Sequence, residues 1–340
     1  MGIQFKVLTV WAIVSWLPVS GLAAAPQHVE PLALPGVSAD AGFDDMDFVA
    51  ELNQVVVPGG ASGTVFFIDP NTDAVSKAAQ VAPAATRRGG RDVGTTSVAY
   101  ADGYLIASDH DTQSLAIADA HSGKVLAHVP LASGSDYIRY VAPLKEVWVT
   151  EPGAHQIELF RAALSGQHPT LKPAGTIDVP GGPESLVIDA RTGRAYTNLW
   201  KKRTLAINLH SRKIVARWSD TCQGPRGLVL APRHQLLFVG CTEGKAVALD
   251  LTGNGAVASS ASTGSGVDII AWNPHLQHLY VPGSHSATLT VLELTKDGTL
   301  RQVVVARVAH GSHCVAADGV SKAYVCDPRH GRVLVYDDSQ

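Results

Sequence analysis

Four carboxylates, one arginine and one histidine occupy the same place in successive repeats of a single sequence phrase. Counting back from an aromatic residue inside a hydrophobic run, Glu184 lies 12 residues before Tyr196, Asp268 12 before Tyr280, Asp136 12 before Trp148 and Arg226 12 before Phe238. His313 lies 11 before Tyr324, which fits a turn one residue shorter. The same count from Val56 reaches Asp44, and in the second unit the position falls on Thr95 or Gly94. If the repeats are arranged around an axis, these residues form one polar ring. Carboxylates gathered in this way can hold a hard cation such as Ca²⁺ through oxygen ligands. With His313 added, the set also tolerates a transition metal. A bound divalent cation could in turn polarise a carbonyl, with His313 as general base and Glu184 as a metal-holding partner. Plain charge neutralisation, Arg226 against Glu184 and Asp268, accounts for the same residues without a ligand. Arg139 interrupts an apolar strand-like run (DYIRY). It either reaches into a channel or pairs with Asp136 or Glu151. His310 and His313 in AHGSHC have metal-pair spacing, whereas His285 in PGSHS reads as a solvated turn residue.

The elements that must position the ring are short β-strands. The repeated phrase is a β-type run, a polar turn and a second β-type run. Its copies are VVVPGGASGTVFFID from Val55, YLIASDHDTQSLAIAD from Tyr104, VWVTEPGAHQIELF from Val147, AYTNLWKKRTLAINL from Ala195, LLFVGCTEGKAVALDL from Leu236, LYVPGSHSATLTVLEL from Leu279 and AYVCDPRHGRVLVYD from Ala323. Val, Ile, Leu, Tyr and Phe fill the runs, and Gly, Asn, Asp, Ser and Pro fill the turns, as hairpins require. Another short apolar run precedes each copy, and a fourth follows most of them, such as KVLAHVPL from Lys124. Four strands repeated seven times at a spacing in the forties predict an all-β, seven-bladed β-propeller with four-stranded blades. No stretch shows the sustained 3.6-residue period of helices between strands. The last unit runs out after three strands, while HVEPLALPG from His28 resembles the outer strand AHVPLASG from Ala127. The N-terminal segment is therefore expected to complete the last blade and close the ring. Residues 28–340 then form one domain, and the ring residues fall at one mouth of its central channel.

Composition narrows the function classes. The 340 residues carry 27 Lys+Arg and 30 Asp+Glu, a net charge of −3, with 46% hydrophobic and 17% charged residues. That excludes a disordered chain and argues against a nucleic-acid partner, which calls for a basic excess. The basic clusters Arg87-Arg88-Arg91 and Lys201-Lys202-Arg203 read as solvated turns, with anion binding as the alternative. There is no GxSxG elbow, HExxH helix, P-loop or CxxCH haem site. Lys6, the apolar run Val7–Leu17 and the small residues up to Ala25 have the layout of a cleaved signal peptide over residues 1–23, with the cut after Ala23 or Ala25. This implies a periplasmic or secreted protein with no membrane span once mature, expected as a monomer. In an oxidising compartment the four cysteines read as two disulfides. Hairpin geometry sets the start of one strand opposite the end of the next, which pairs Cys222 with Cys241 and Cys314 with Cys326. Free thiolates acting as soft metal ligands are the rival reading.

The second- and third-strand units, LFVGCTEGKAVALDL and AYVCDPRHGRVLVYD above all, resemble the YVTN-type repeat of the YncE-like family of exported bacterial seven-bladed propellers. The resemblance runs from about Val29 to Tyr336. DYIRY…VWVTEP, GPRGLVL, GVDIIAWNP…LYVPG and HCVAADG are similar to a proteobacterial subgroup of that family. It implies a periplasmic binding or scaffold role, with a broader relationship to lactonase-type propellers that place acidic residues and His or Arg in the channel. Two functions are thus expected. One is a binding or scaffold propeller that recognises a small ligand, metal or protein partner through Asp44, Asp136, Arg139, Glu184, Arg226, Asp268 and His313. The other is a lactonase-type, metal-dependent hydrolase or lyase using His313 and Glu184.

Overall fold

The computed structural model describes residues 1–2, 29–85 and 93–339. All but Met1 and Gly2 of the expected signal segment lies outside the described residues, as do Arg87, Arg88 and Arg91. Among the described residues the chain forms 28 β-strands, three single-turn 3₁₀ segments and no α-helix. Among the described residues no helix is long and apolar enough to cross a membrane.

The strands build seven antiparallel four-stranded sheets. β1 (Val29–Ala33) comes first in the chain but belongs to the last sheet. The first blade is β2 (Asp47–Val49), β3 (Gln54–Pro58), β4 (Thr64–Asp69) and β5 (Ala74–Gln80). The second is β6 (Val98–Ala101), β7 (Tyr104–Asp109), β8 (Ser114–Asp119) and β9 (Val125–Pro130). The third is β10 (Ile138–Val141), β11 (Glu146–Glu151), β12 (Gln156–Ala163) and β13 (Thr170–Asp178), and the fourth β14 (Glu184–Asp189), β15 (Arg194–Leu199), β16 (Arg203–Asn208) and β17 (Lys213–Trp218). The fifth is β18 (Pro225–Ala231), β19 (Leu236–Cys241), β20 (Lys245–Asp250) and β21 (Ala256–Ser262). The sixth is β22 (Ala271–Asn273), β23 (His278–Gly283), β24 (Thr288–Leu294) and β25 (Leu300–Arg307). The seventh orders β26 (Val315–Ala317), β27 (Lys322–Asp327) and β28 (Arg332–Asp337) beside β1. The innermost strands touch their neighbours around the circle, and β2 meets β26 to close it. The chain is a seven-bladed β-propeller.

Strand chemistry follows position. β7, β11 and β19 are buried along their whole length, because a neighbouring blade covers each face of a middle strand. Each fully buried Val, Leu, Ile or Phe there contributes about 1.5–3 kcal/mol relative to an exposed one. The outer strand β17 instead alternates exposed and half-buried residues, as a strand with one wet face must. Large second-strand aromatics also bond outward, and most of these bonds cross to the next blade. Tyr104 Oη donates to the Gly166 carbonyl (2.8 Å), Tyr280 Oη to Asp338 (2.6 Å) and Tyr324 Oη to Asp73 (2.9 Å). Trp148 Nε1 donates to Glu146 (3.0 Å), which Arg212 of the following blade also grips.

Both expected cysteine pairs sit at disulfide distance, Cys222 with Cys241 (Cα–Cα 5.4 Å) and Cys314 with Cys326 (5.5 Å). Such pairs suit an oxidising compartment. Closure is also as expected. β1 pairs with β28 from Val29↔Tyr336 to Ala33↔Arg332. Leu34, 4% exposed, packs into the core cluster that contains Tyr324, Val333 and Val335. Removing residues 29–36 leaves β28 as a bare edge and opens that core. The truncated protein should lose roughly 10 °C or more in melting temperature; an unchanged thermal transition would show that β1 does not fasten the ring.

Candidate functional site

The channel mouth is organised by a belt of backbone hydrogen bonds between innermost strands. Asp45 N–H donates to the Thr96 carbonyl (2.9 Å), Gly227 N–H to Asp268 (2.8 Å) and Ile269 N–H to His313 (2.9 Å). In each case the donor is the residue after one ring position, and the acceptor is the ring residue of the next blade. This belt corrects the second unit: its ring residue is Thr96, not Thr95 or Gly94. The turn between β6 and β7 contains only Asp102 and Gly103, with Ala101 opposite Tyr104, so the hairpin is shorter than in the other blades. Thr95 pairs instead with Gly60 of the first blade. The other positions stand as expected, although Glu184 opens β14 and Arg226 lies inside β18 rather than before it.

Asp44, Thr96, Asp136 and Glu184 line one cavity of about 420 Å³, together with His110 and Ser135. Glu184 is held from two sides. Arg226 Nε lies 3.6 Å from one carboxylate oxygen, and Trp200 Nε1 donates to the other at 2.7 Å. Trp200 sits at the β15–β16 turn and packs edge-on against His155 of the preceding blade. Asp44, Asp268 and His313 form a second, buried group in which one ligand atom from each lies within 4.8 Å of the others. The imidazole of His313 is already engaged. Its Nδ1 is 2.7 Å from the Gly311 carbonyl, its Nε2 is 3.0 Å from the Phe43 carbonyl, and Asp44 Oδ1 lies 3.6 Å from Nε2. Each ring nitrogen thus has a carbonyl acceptor within hydrogen-bond reach, and a metal or a substrate proton would have to compete with one of these contacts.

Crowding sets the electrostatics. Burial pushes the Asp136 carboxyl well above the usual carboxylate range, and repulsion from Glu184, Asp44 and Asp268 adds to it. Glu184 is pushed up to about 7, first by burial and then by Asp268, against the opposing pull of Arg226 and the Trp200 N–H. Crowding therefore favours the protonated form of these two carboxyls and makes the site a place where a bound cation would compete with protons.

Arg139 belongs to a different place. It lines the channel body below the mouth, and its partner is Asp45 of the first blade rather than Asp136 or Glu151. The guanidinium grips that carboxylate with both terminal nitrogens, Nη2 to Oδ1 at 2.8 Å, and its face lies 5.2 Å from the Tyr137 ring centre. Ser97 Oγ also donates to Asp45 (2.7 Å) while accepting the Ile138 N–H (3.1 Å), which ties three blades together. His285 and His310 are exposed, and His310 is not gathered with His313 into the buried group.

No family model matches the chain, and no curated protein matches it. Its fold is matched among solved structures. A chain of the Mitotic Checkpoint Complex aligns with a TM-score of 0.71 at 13% identity, covering 99% of this chain and 99% of its own. The Myceliophteria thermophila Swd1 beta-propeller domain aligns at 0.66 and 12% identity, covering 89% of this chain and 99% of its own. RRP9 WD40 repeats align at 0.69 and 8% identity, covering 91% and 97%. At these identities the likeness establishes the seven-bladed propeller fold and nothing about ligand.

The raised carboxyls have a thermodynamic consequence. Glu184 and Asp136 bind protons more tightly in the folded protein than in the unfolded chain. The stability they contribute is complete at low pH and is lost as pH rises through their folded values. Chelator-treated protein should lose about 2–5 °C in melting temperature between about pH 5 and about pH 8, and Glu184→Gln should flatten that decline. A melting temperature that rises steadily over this range, unaltered by the substitution, would contradict the crowded mouth.

Proposed function

We propose that this protein is an exported binding propeller that takes a divalent cation at its carboxylate-lined channel mouth. The observation that carries the reading is the convergence of Asp44, Asp136, Glu184 and Asp268 from four separate blades, with the Asp136 and Glu184 carboxyls held above their ordinary range by burial and by one another. A cation relieves that repulsion and releases the protons it displaces. The engagement of both His313 nitrogens favours oxygen-only ligation, and hence a hard ion of the Ca²⁺ type over a transition metal. The same engagement weighs against His313 as a general base and so favours binding over a lactonase-type hydrolysis.

Export is supported by the signal-like N-terminus and by the two cysteine pairs. The likeness of the repeats to YncE-like propellers supports the same periplasmic setting. A scaffold role toward a protein partner is supported by a fold neighbour that is part of the Mitotic Checkpoint Complex.

Calorimetric titration tests the cation site. Purified, chelator-treated protein at about pH 8 should show one saturable Ca²⁺ site, weakened about tenfold or more by either Glu184→Gln or Asp136→Asn. Zn²⁺ should gain no advantage from His313. Absence of saturable heat with either ion, or binding that both substitutions leave unchanged, would overturn the assignment.

A further inference from the structure

The channel body beneath the mouth has two unlike walls. It encloses about 680 Å³, within the range of sites that hold small organic molecules. On the side of blades four and five its lining is apolar, with the half-buried Val187, Ile188, Val229 and Leu230. The opposite side carries Asp45, Asp47 and Arg139, with Tyr137 and Tyr140. Asp318 is the remaining charged residue of the lining, at the β26–β27 turn, and its Oδ1 is taken up by the N–H groups of Val320, Ser321 and Lys322.

The charged wall is not neutral. Arg139 is matched by Asp45, to which it is bidentately bonded. That leaves Asp47, whose carboxyl burial pushes up and the Arg139 guanidinium pulls back down. Its carboxylate accepts the Phe48 N–H at 2.8 Å and stands exposed to the channel on β2. Asp47, Arg139 and Tyr140 also border an adjoining cavity of about 300 Å³ that Tyr100 lines as well, so two aromatic residues share that space with the carboxylate. A carboxylate with spare acceptor capacity, neighbouring aromatic rings and a facing apolar wall suits a cation attached to an apolar body.

We propose that the channel body binds a small amphipathic amine, with its ammonium on Asp47 and its apolar part against Val187, Ile188, Val229 and Leu230. This site is independent of the cation site at the mouth. It uses none of the four ring carboxylates.

Tryptamine is the probe, and its uncharged counterpart tryptophol is the control. Calorimetry near pH 7 on the full mature chain should show saturable tryptamine binding, with tryptophol at least about tenfold weaker. Asp47→Asn should weaken tryptamine about tenfold or more, and Asp47→Glu should retain most of the affinity. Circular dichroism and melting temperature establish that both variants are folded. Glu184→Gln should leave tryptamine affinity within about twofold, which separates this site from the mouth. The proposal is overturned if tryptamine does not saturate, if tryptophol binds equally well, if folded Asp47→Asn binds like the parent, or if Glu184→Gln abolishes binding that Asp47→Asn spares.

Discussion

A four-stranded sheet with apolar residues on both faces has no stable life alone, and the requirement that seven such sheets cover one another in a closed circle governs everything else in this molecule. Middle strands such as β11 can be buried throughout only because a blade stands on either side. Closure demands that the first and last blades be fastened, and β1 does this by zipping onto β28 over five residue pairs. Tyr324 adds a second fastening from the seventh blade to Asp73 of the first. That contact follows the same pattern as the inter-blade bonds of Tyr104 and Tyr280, so the seam is built like the other joints.

The closed circle is also what makes the mouth chemically unusual. Asp44, Asp136, Glu184 and Asp268 are tens to hundreds of residues apart in the chain, and nothing local brings them together. Ring geometry places them at equivalent points, and the backbone belt through Thr96, Asp268 and His313 holds those points at a fixed depth. Like charges then face one another in a partly dry space, where repulsion is only weakly screened. The fold supplies the stability that offsets this repulsion, and a cation would recover part of it. The channel body follows the opposite rule. There the single guanidinium is spent on Asp45, and the apolar wall faces a charged one.

Much of this architecture is readable from residues alone because the hairpin length repeats. The interval of 12 from ring residue to aromatic holds in four units and shortens to 11 at His313, so the ring could be aligned by counting. Counting failed in the second blade, where the two-residue Asp102-Gly103 turn removes residues and moves the position to Thr96. The Arg139–Asp45 pair was out of reach for another reason. Its partners are 94 residues apart and skip a whole blade, and no periodicity encodes a contact across the channel. Trp200 leaves no such signal, because its indole turns back from a hairpin tip onto Glu184, and tip residues follow turn chemistry rather than strand alternation. The engagement of His313 with two carbonyls is likewise a property of loop backbone that residue types do not reveal.

The central claim is that ring closure presses carboxylates from different blades into one electrostatic unit. Site-resolved carbon NMR of the Glu184 side-chain carboxyl in the chelator-treated protein tests it most directly. The account predicts an apparent titration near pH 7, as a member of a coupled set, falling toward the ordinary carboxylate range when Asp268 is replaced by Asn. A Glu184 carboxyl that titrates near 4.5 in the parent and is indifferent to Asp268→Asn would contradict it.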